Sequence, residues 1–188
     1  MRKAMWIGAA MVLFAAAAGA GQAQGPSYTF DLPEDVKFEL ADEKAQLHLF
    51  RWGDETHNAV FMLYPQAAGW PASDEMVESL VQTMVSGFEK QLDKHEELEI
   101  VSKSKDKVAL GPFSGTRIKF VLHTEAADQE VHQHMLVLAD EARHMWFGQL
   151  SATSEGDYAT VEKILKSAEP VETAEPEAAP APEAMPED

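Results

Sequence analysis

The first half of the chain alternates apolar and polar residues over short stretches, which is the period of a β-strand with one buried face. This alternation predicts three strands, at residues 28–32, 36–40 and 46–52. A fourth strand is predicted over residues 58–64, where the apolar run Ala59–Leu63 is nearly continuous. Such a run is typical of a strand that is covered on both faces of its sheet.

The spacing of apolar residues changes to a helical period after residue 73. It predicts an amphipathic helix over Asp74–Leu92. Ser73 is the candidate N-cap, and Asp74 and Glu75 place negative charge in the first turn, where the helix dipole favours it. The apolar stripe of this helix consists of Val77, Leu80, Val81, Met84, Phe88 and Leu92.

Short alternating stretches return after this helix and predict five more strands, at 98–101, 108–110, 115–124, 131–139 and 144–150, arranged as an antiparallel meander. A second amphipathic helix follows, with Asp157 as its candidate N-cap and an apolar stripe from Tyr158 to Ala168. This order of elements predicts an α+β fold with an antiparallel central sheet. The apolar run at 58–64 further predicts helices on both faces, which makes an α/β/α sandwich.

Residues 1–23 have the pattern of a secretory signal peptide. Arg2 and Lys3 precede the apolar, alanine-rich run 4–18, and small residues follow. Cleavage after Ala20 or after Ala23 fits the requirement for small residues before the cleaved bond. The alternative is an uncleaved membrane anchor, although the run is short for a membrane span. The signal predicts a periplasmic or extracellular protein with no stable membrane insertion after cleavage.

The last residues, 169–188, are rich in proline, alanine and glutamate and contain no lysine or arginine. So little apolar surface does not offset the entropy of ordering, so a disordered acidic tail is predicted. The alternatives are an interaction tail or a cell-wall spacer. A single globular domain, residues 24–168, remains between the signal and the tail.

Charge and composition exclude several classes of function. The 188 residues contain 32 Asp and Glu against 15 Lys and Arg, a net charge of −17, which argues against nucleic acid and anionic membrane as partners. The absence of cysteine excludes disulfides, thiol nucleophiles and cysteine-ligated zinc. No phosphate loop or nucleophile elbow is present. We therefore expect no enzymatic activity and no cofactor, and a hydrolase is the lowest-ranked reading.

Three histidines form the most suggestive cluster for chemistry. His132 and His134 are two positions apart on one predicted strand and so share a face, and His123 lies on the preceding strand. Three imidazoles on one sheet face could bind zinc or copper. The alternative is a set of ordinary polar residues on an exposed strand face, beside Arg117 and Lys119.

Trp70 lies in a loop between Pro65 and Pro71, just before the first predicted helix. Aromatic residues on loops often form part of a partner or ligand surface, so Trp70 is a candidate partner-binding residue. The alternative is a tryptophan that anchors the loop to the core.

The order of elements, the opening Tyr28–Pro33 strand, the segment Val108–Gly115 before the long meander and the terminal stretch Tyr158–Ser167 together resemble the PsbP/DcrB/LpqN-like group of exported proteins. The resemblance spans residues 27–168 and implies the α/β/α sandwich. It also implies an accessory or binding role, without catalytic residues shared by the group. We therefore expect an exported accessory protein of the cell envelope that recognises an envelope protein or a small apolar ligand. The alternative is a metal-binding module that uses the histidine face.

Overall fold

The computed structural model describes residues 22–24, 27–42, 44–54, 57–65, 73–95, 97–125 and 128–171. These residues form ten strands and two helices in a mostly β, α+β arrangement. The elements are β1 (Gln22–Gln24), β2 (Tyr28–Asp31), β3 (Lys37–Asp42), β4 (Leu47–Gly53), β5 (Asn58–Pro65), α1 (Asp74–Leu92), β6 (Leu98–Leu110), β7 (Phe113–Thr124), β8 (Gln129–Ala139), β9 (Met145–Ala152), α2 (Asp157–Lys166) and β10 (Glu169–Pro170).

A seven-stranded antiparallel sheet dominates the part of the chain that is described, in the order β3-β4-β5-β9-β8-β7-β6. Strands β6 to β9 are sequential neighbours and form the predicted meander. The remaining seam joins β5 to β9, which are far apart in sequence. The predicted α+β class and antiparallel central sheet are therefore confirmed.

The prediction of two short strands at 98–101 and 108–110 is wrong, because β6 is one strand of 13 residues. Its middle carries lysine and serine, and it lies at the edge of the sheet, where polar side chains stay exposed. Lys103 and Lys105 form ion pairs with Glu89 and Glu78 of α1. A polar stretch can thus continue a strand at a sheet edge, even where the residues on both of its faces are exposed.

Helix α1 begins and ends at the predicted residues. The Ser73 hydroxyl accepts a hydrogen bond from the Met76 backbone N–H at 3.2 Å, which confirms the N-cap. Val77, Val81 and Leu92 are its buried residues, and they form a core with Ile118, Phe120, Met135, Val137 and Phe147. Leu80, Met84 and Phe88 are only partly buried against that core. The side of the helix that carries the two valines therefore packs most deeply.

Helix α2 packs into a second core. Tyr158, Val161, Ile164 and Leu165 are buried together with Phe61, Leu136, Leu138 and Trp146 of the sheet. The predicted cap is wrong, because Gly156 is the N-cap residue and Asp157 is already the first helical residue. The Asp157 carboxylate instead accepts hydrogen bonds from outside the helix, as described below.

The apolar run in β5 is buried unevenly. Ala59, Phe61 and Leu63 are fully buried, whereas Val60 and Met62 are half-buried and Tyr64 is exposed. A continuous apolar run therefore does not mean equal cover on its two faces in this protein.

A small second sheet joins the two ends of the domain. Strand β2 lies between β1 and β10, and the Val171 N–H donates to the Ser27 carbonyl at 3.0 Å. The pairing includes Glu169 and Pro170, so it continues past the domain boundary expected at residue 168. Neither described helix combines the length and apolar character that a membrane crossing requires.

Candidate functional site

The three candidate histidines lie on one face of the sheet, as the spacing predicted. His132 faces Val121 and His134 faces Lys119 across the β7–β8 ladder, while His123 pairs with Glu130. The expectation of an exposed face for these strands is wrong for two of the three, because His132 and His134 are buried. Helix α2 packs on the same face, through the core that includes Leu136 and Leu138, and this covers His134.

His134 is the most unusual of the buried polar residues. Its side chain stacks on the Tyr158 ring, with centroids 4.7 Å apart and planes 8° apart. The residue is only 2% exposed, and neither ring nitrogen has a hydrogen-bond partner among the described residues. Burial, together with the charges of Arg117 and Lys119, lowers the pKa of His134 to about 4. The ring is therefore neutral at pH 7, with one N–H donor and one acceptor nitrogen unused.

Arg117 also contacts the ring of Tyr158. Its Cζ atom lies 4.3 Å from the centroid of the Tyr158 ring, within the range of a cation–π contact. Its Nη2 donates to the Asp106 carboxylate at 2.8 Å, and Nε donates to the same oxygen at 3.3 Å. Arg117 is thus held from β6 and from α2 together, so its guanidinium has a defined position.

A cavity of about 210 Å³ opens where β7, β8 and the first turn of α2 meet. Lys119 lies in its wall, with its ammonium paired to the Glu155 carboxylate. The lining residues are Arg117, Lys119, His134, Glu155, Gly156, Tyr158, Ala159 and Glu162. We call this cavity the α2 pocket. Six of its eight lining residues are charged or polar, so the pocket offers partners to a polar or charged group.

The pocket brings together only one of the three predicted histidines. His134 lines the pocket. The other two lie beside acids outside it: Nε2 of His132 is 4.0 Å from the Glu130 carboxylate, and Nε2 of His123 is 3.8 Å from the Asp128 carboxylate. Within the described ranges, no group of three or more histidine or acidic residues is close enough to hold a metal ion. These residues give the metal-binding alternative no ligand set, and the expectation of no cofactor stays a prediction.

Two buried carboxylates form polar networks away from the pocket lining. Asp157 accepts from the Trp52 indole N–H at 2.7 Å and lies 2.8 Å from Nε2 of His57. The other, Asp140, accepts from Tyr28 and Trp146, both at 3.1 Å. These networks tie α2 and the β8–β9 turn to the strands beneath them, so their role is structural.

Trp70 is the other candidate for a binding surface. Two further tryptophans, Trp52 and Trp146, are buried in the core. Trp70 lies outside the described residues.

Sequence reasoning missed Arg117, Tyr158 and Glu155 as members of one site. The strand pattern could have grouped Arg117 with the histidines. Odd positions of β7 and even positions of β8 share one face once the hairpin register is known. No sequence pattern placed Tyr158 over that face, since the docking of α2 depends on the whole core.

No family model matches the chain, and no curated protein sequence matches it. One similar solved structure is from Bacteroides thetaiotaomicron, with 12% identity and a TM-score of 0.47 over 77% of this chain. This chain spans only 45% of that one. Another is LpqN of Mycobacterium tuberculosis, described as involved in cell envelope biogenesis, with 14% identity and a TM-score of 0.42. That match covers 79% of this chain and 86% of LpqN. Membership of the PsbP/DcrB group stays a prediction from the sequence.

Proposed function

We propose that this protein is an exported, non-enzymatic accessory or binding protein of the cell envelope, and that its ligand or partner engages the α2 pocket. The observation that carries the proposal is His134, a buried imidazole that lines a cavity and whose two ring nitrogens find no partner in the part of the chain that the structure describes. Buried polar groups in folded proteins are nearly always satisfied, and His134 is one that borders a cavity, where a bound molecule has room to lie.

We infer that the scaffold of the site is the α/β/α sandwich. Successive residues of a strand point to opposite faces. In β8, Met135 and Val137 share a core with α1, whereas Leu136 and Leu138 share the other core with α2. This alternation supports one helix on each face. Such a sandwich holds the pocket between a rigid sheet and α2, which suits recognition without a large conformational change.

The extracytoplasmic location rests on the N-terminal sequence alone. Arg2 and Lys3, the apolar run and the small residues before Gln24 are the pattern of a secretory signal. The chain contains no cysteine, so its folding after export would require no disulfide formation.

Site-specific photo-crosslinking in the envelope of the native host tests the binding role. A photoreactive amino acid at position 159, which lines the pocket and is exposed, should give a discrete adduct. The same amino acid at position 35, an exposed turn residue far along the chain from the pocket lining, is the control. An adduct at 159 that is lost in a His134→Gln background supports the proposal. Equal labelling at both positions, or none at 159, overturns it.

A further inference from the structure

We propose, building on the binding role above, that the α2 pocket binds the carboxylate of a small monoanionic ligand, which replaces the Glu155 carboxylate at Lys119. Two independent observations carry this inference. The pocket wall presents the Lys119 ammonium and the unpartnered His134 ring side by side, because the two residues face each other across the β7–β8 ladder. The first turn of α2 also borders the pocket, and the positive end of its dipole favours an anion there.

The pocket should bind an anionic group because its positive side chains are more buried than its negative ones. The Lys119 and Arg117 side chains are only 19% and 24% exposed, so positive charge lies in the inner wall. The acids are nearer to solvent, since the Glu155 side chain is 72% exposed. An anionic group therefore meets the cations at the inner wall, and the rest of the ligand passes the acidic rim. The His134 ring forms part of the wall beside this group, so its ring atoms sense a bound anion.

Glu155 marks the place of the ligand. Its carboxylate is paired with Lys119 and lines the same pocket, and its side chain reaches there from the loop before α2. An ion pair with one highly exposed partner contributes little to stability. Replacing Glu155 by an external carboxylate therefore costs little free energy. In the pair Arg117–Asp106 the acid is less exposed, at 46%, and it accepts from two nitrogens of Arg117. Exchange is thus expected at Lys119 and not at Arg117.

The balance of charges favours a monoanion over a dianion. Three cations, Arg117, Lys119 and Lys166, are paired with three acids, Asp106, Glu155 and Glu162. A monocarboxylate that takes the place of Glu155 keeps the inner wall neutral. A doubly charged phosphate would leave an excess negative charge beside Glu162, in a protein whose net charge is already −17.

Acetate is the probe, and the readout is the NMR signal of the His134 ring carbon Cε1 in the full chain as exported, assigned by its loss in His134→Gln. Titration at constant ionic strength should shift this signal in a saturable way, with a Kd of about 1–10 mM for so small a ligand. Acetamide, which has the same shape without the charge, should give no saturable shift. Inorganic phosphate should bind more weakly than acetate.

Variants separate exchange at Lys119 from a general effect of charge. Glu155→Gln removes the internal competitor and should lower the acetate Kd at least about fivefold, whereas Lys119→Gln should raise it by about tenfold. Glu162→Gln, a matched removal of one rim carboxylate, should change it by less than about twofold. No saturable acetate shift in either the unmodified chain or Glu155→Gln overturns the inference, and so does tighter binding of phosphate. If acetate fails while the crosslink at 159 persists, the binding role stands and only the ligand class is wrong.

Discussion

At the scale of single residues, Asp140 holds a turn together from inside the protein. Its buried carboxylate accepts from the Tyr28 hydroxyl and the Trp146 indole, and from the His144 backbone N–H at 2.8 Å. Asp140→Ala leaves these donors buried without an acceptor, so we expect a loss of about 2–4 kcal/mol in the free energy of unfolding. Chemical denaturation measures it. Asp140→Asn keeps one acceptor oxygen and should lose less, and equal stability of all three proteins would contradict this account.

His134 should make stability depend on pH. Its pKa is about 4 in the folded protein and near 6.5 when unfolded, because burial disfavours the charged ring. Between these values the unfolded chain binds more protons, so this contribution leaves stability unaffected above pH 6.5 and lowers it as the pH falls toward 4. From pH 7.5 to 4.5 the unmodified protein should lose about 2–3 kcal/mol more than His134→Gln. Denaturation curves at the two pH values provide the test, and parallel losses in both proteins would refute it.

The spacing of His132 and His134 was enough to predict that they share a face, because side chains in a strand alternate strictly. Their burial was not predictable, since it depends on where α2 lands. The same holds for Asp157, a helix-start residue whose carboxylate turned out to bond Trp52 and His57. Local patterns state which direction a side chain points, and the tertiary fold decides what it meets there.

At the scale of elements, the exposure of Phe88 changes what its removal should cost. The ring lies 4.8 Å from that of the fully buried Phe120, but Phe88 itself is only partly buried. We expect Phe88→Ala to lose about 1.5–3 kcal/mol, which is less than the 3–5 kcal/mol typical of a fully buried aromatic residue. Phe120→Ala should fall in that higher range, and Ser86→Ala, on the exposed side of α1, should change stability by less than about 0.5 kcal/mol. A Phe88→Ala loss as large as that of Phe120→Ala would mean that α1 packs more deeply.

The pairing of strand β10 should make two truncated chains differ in thermal stability. A chain that ends at Val171 keeps the pairing of β10 with β2 and the hydrogen bond from Val171 to Ser27. A chain that ends at Ala168 loses both, and its Tm should fall by about 3–6 °C, which corresponds to about 1–2 kcal/mol. Thermal unfolding followed by circular dichroism compares them with the full chain. The chain that ends at Val171 should have the Tm of the full chain. If the chain that ends at Ala168 also had that Tm, β10 would contribute nothing to stability.

The boundaries of α1 were predictable because the cap, the acidic first turn and the apolar period all agree on them. The continuity of β6 was not, since Ser102–Lys107 lacks any apolar alternation. Its strand conformation comes from pairing with β7 and from ion pairs to α1, and neither of these is visible in the residue pattern of β6 itself. Edge strands are where the hydrophobic pattern carries least information.

At the scale of the whole molecule, export should leave a defined N-terminus. Cleavage after Ala20 keeps all of β1, which pairs with β2 through Gln22, Ala23 and Gln24, whereas cleavage after Ala23 leaves only Gln24. We therefore expect the envelope or extracellular form to begin at Gly21. Mass spectrometry of the intact protein from that fraction measures it. A chain that retains Met1 in the membrane fraction would overturn the export prediction.

The seam between β5 and β9 has a consequence for how the chain folds. Its paired residues are about 80–90 positions apart, whereas the other ladders of the large sheet join strands that follow one another in sequence. Hairpins of near neighbours form fast, and contacts across long loops form late, so closing this seam is expected to limit the folding rate. Until then β5, with the apolar run Ala59–Leu63, has one backbone edge without its partner. The nascent chain is therefore most prone to misassembly between the synthesis of β5 and the arrival of β9.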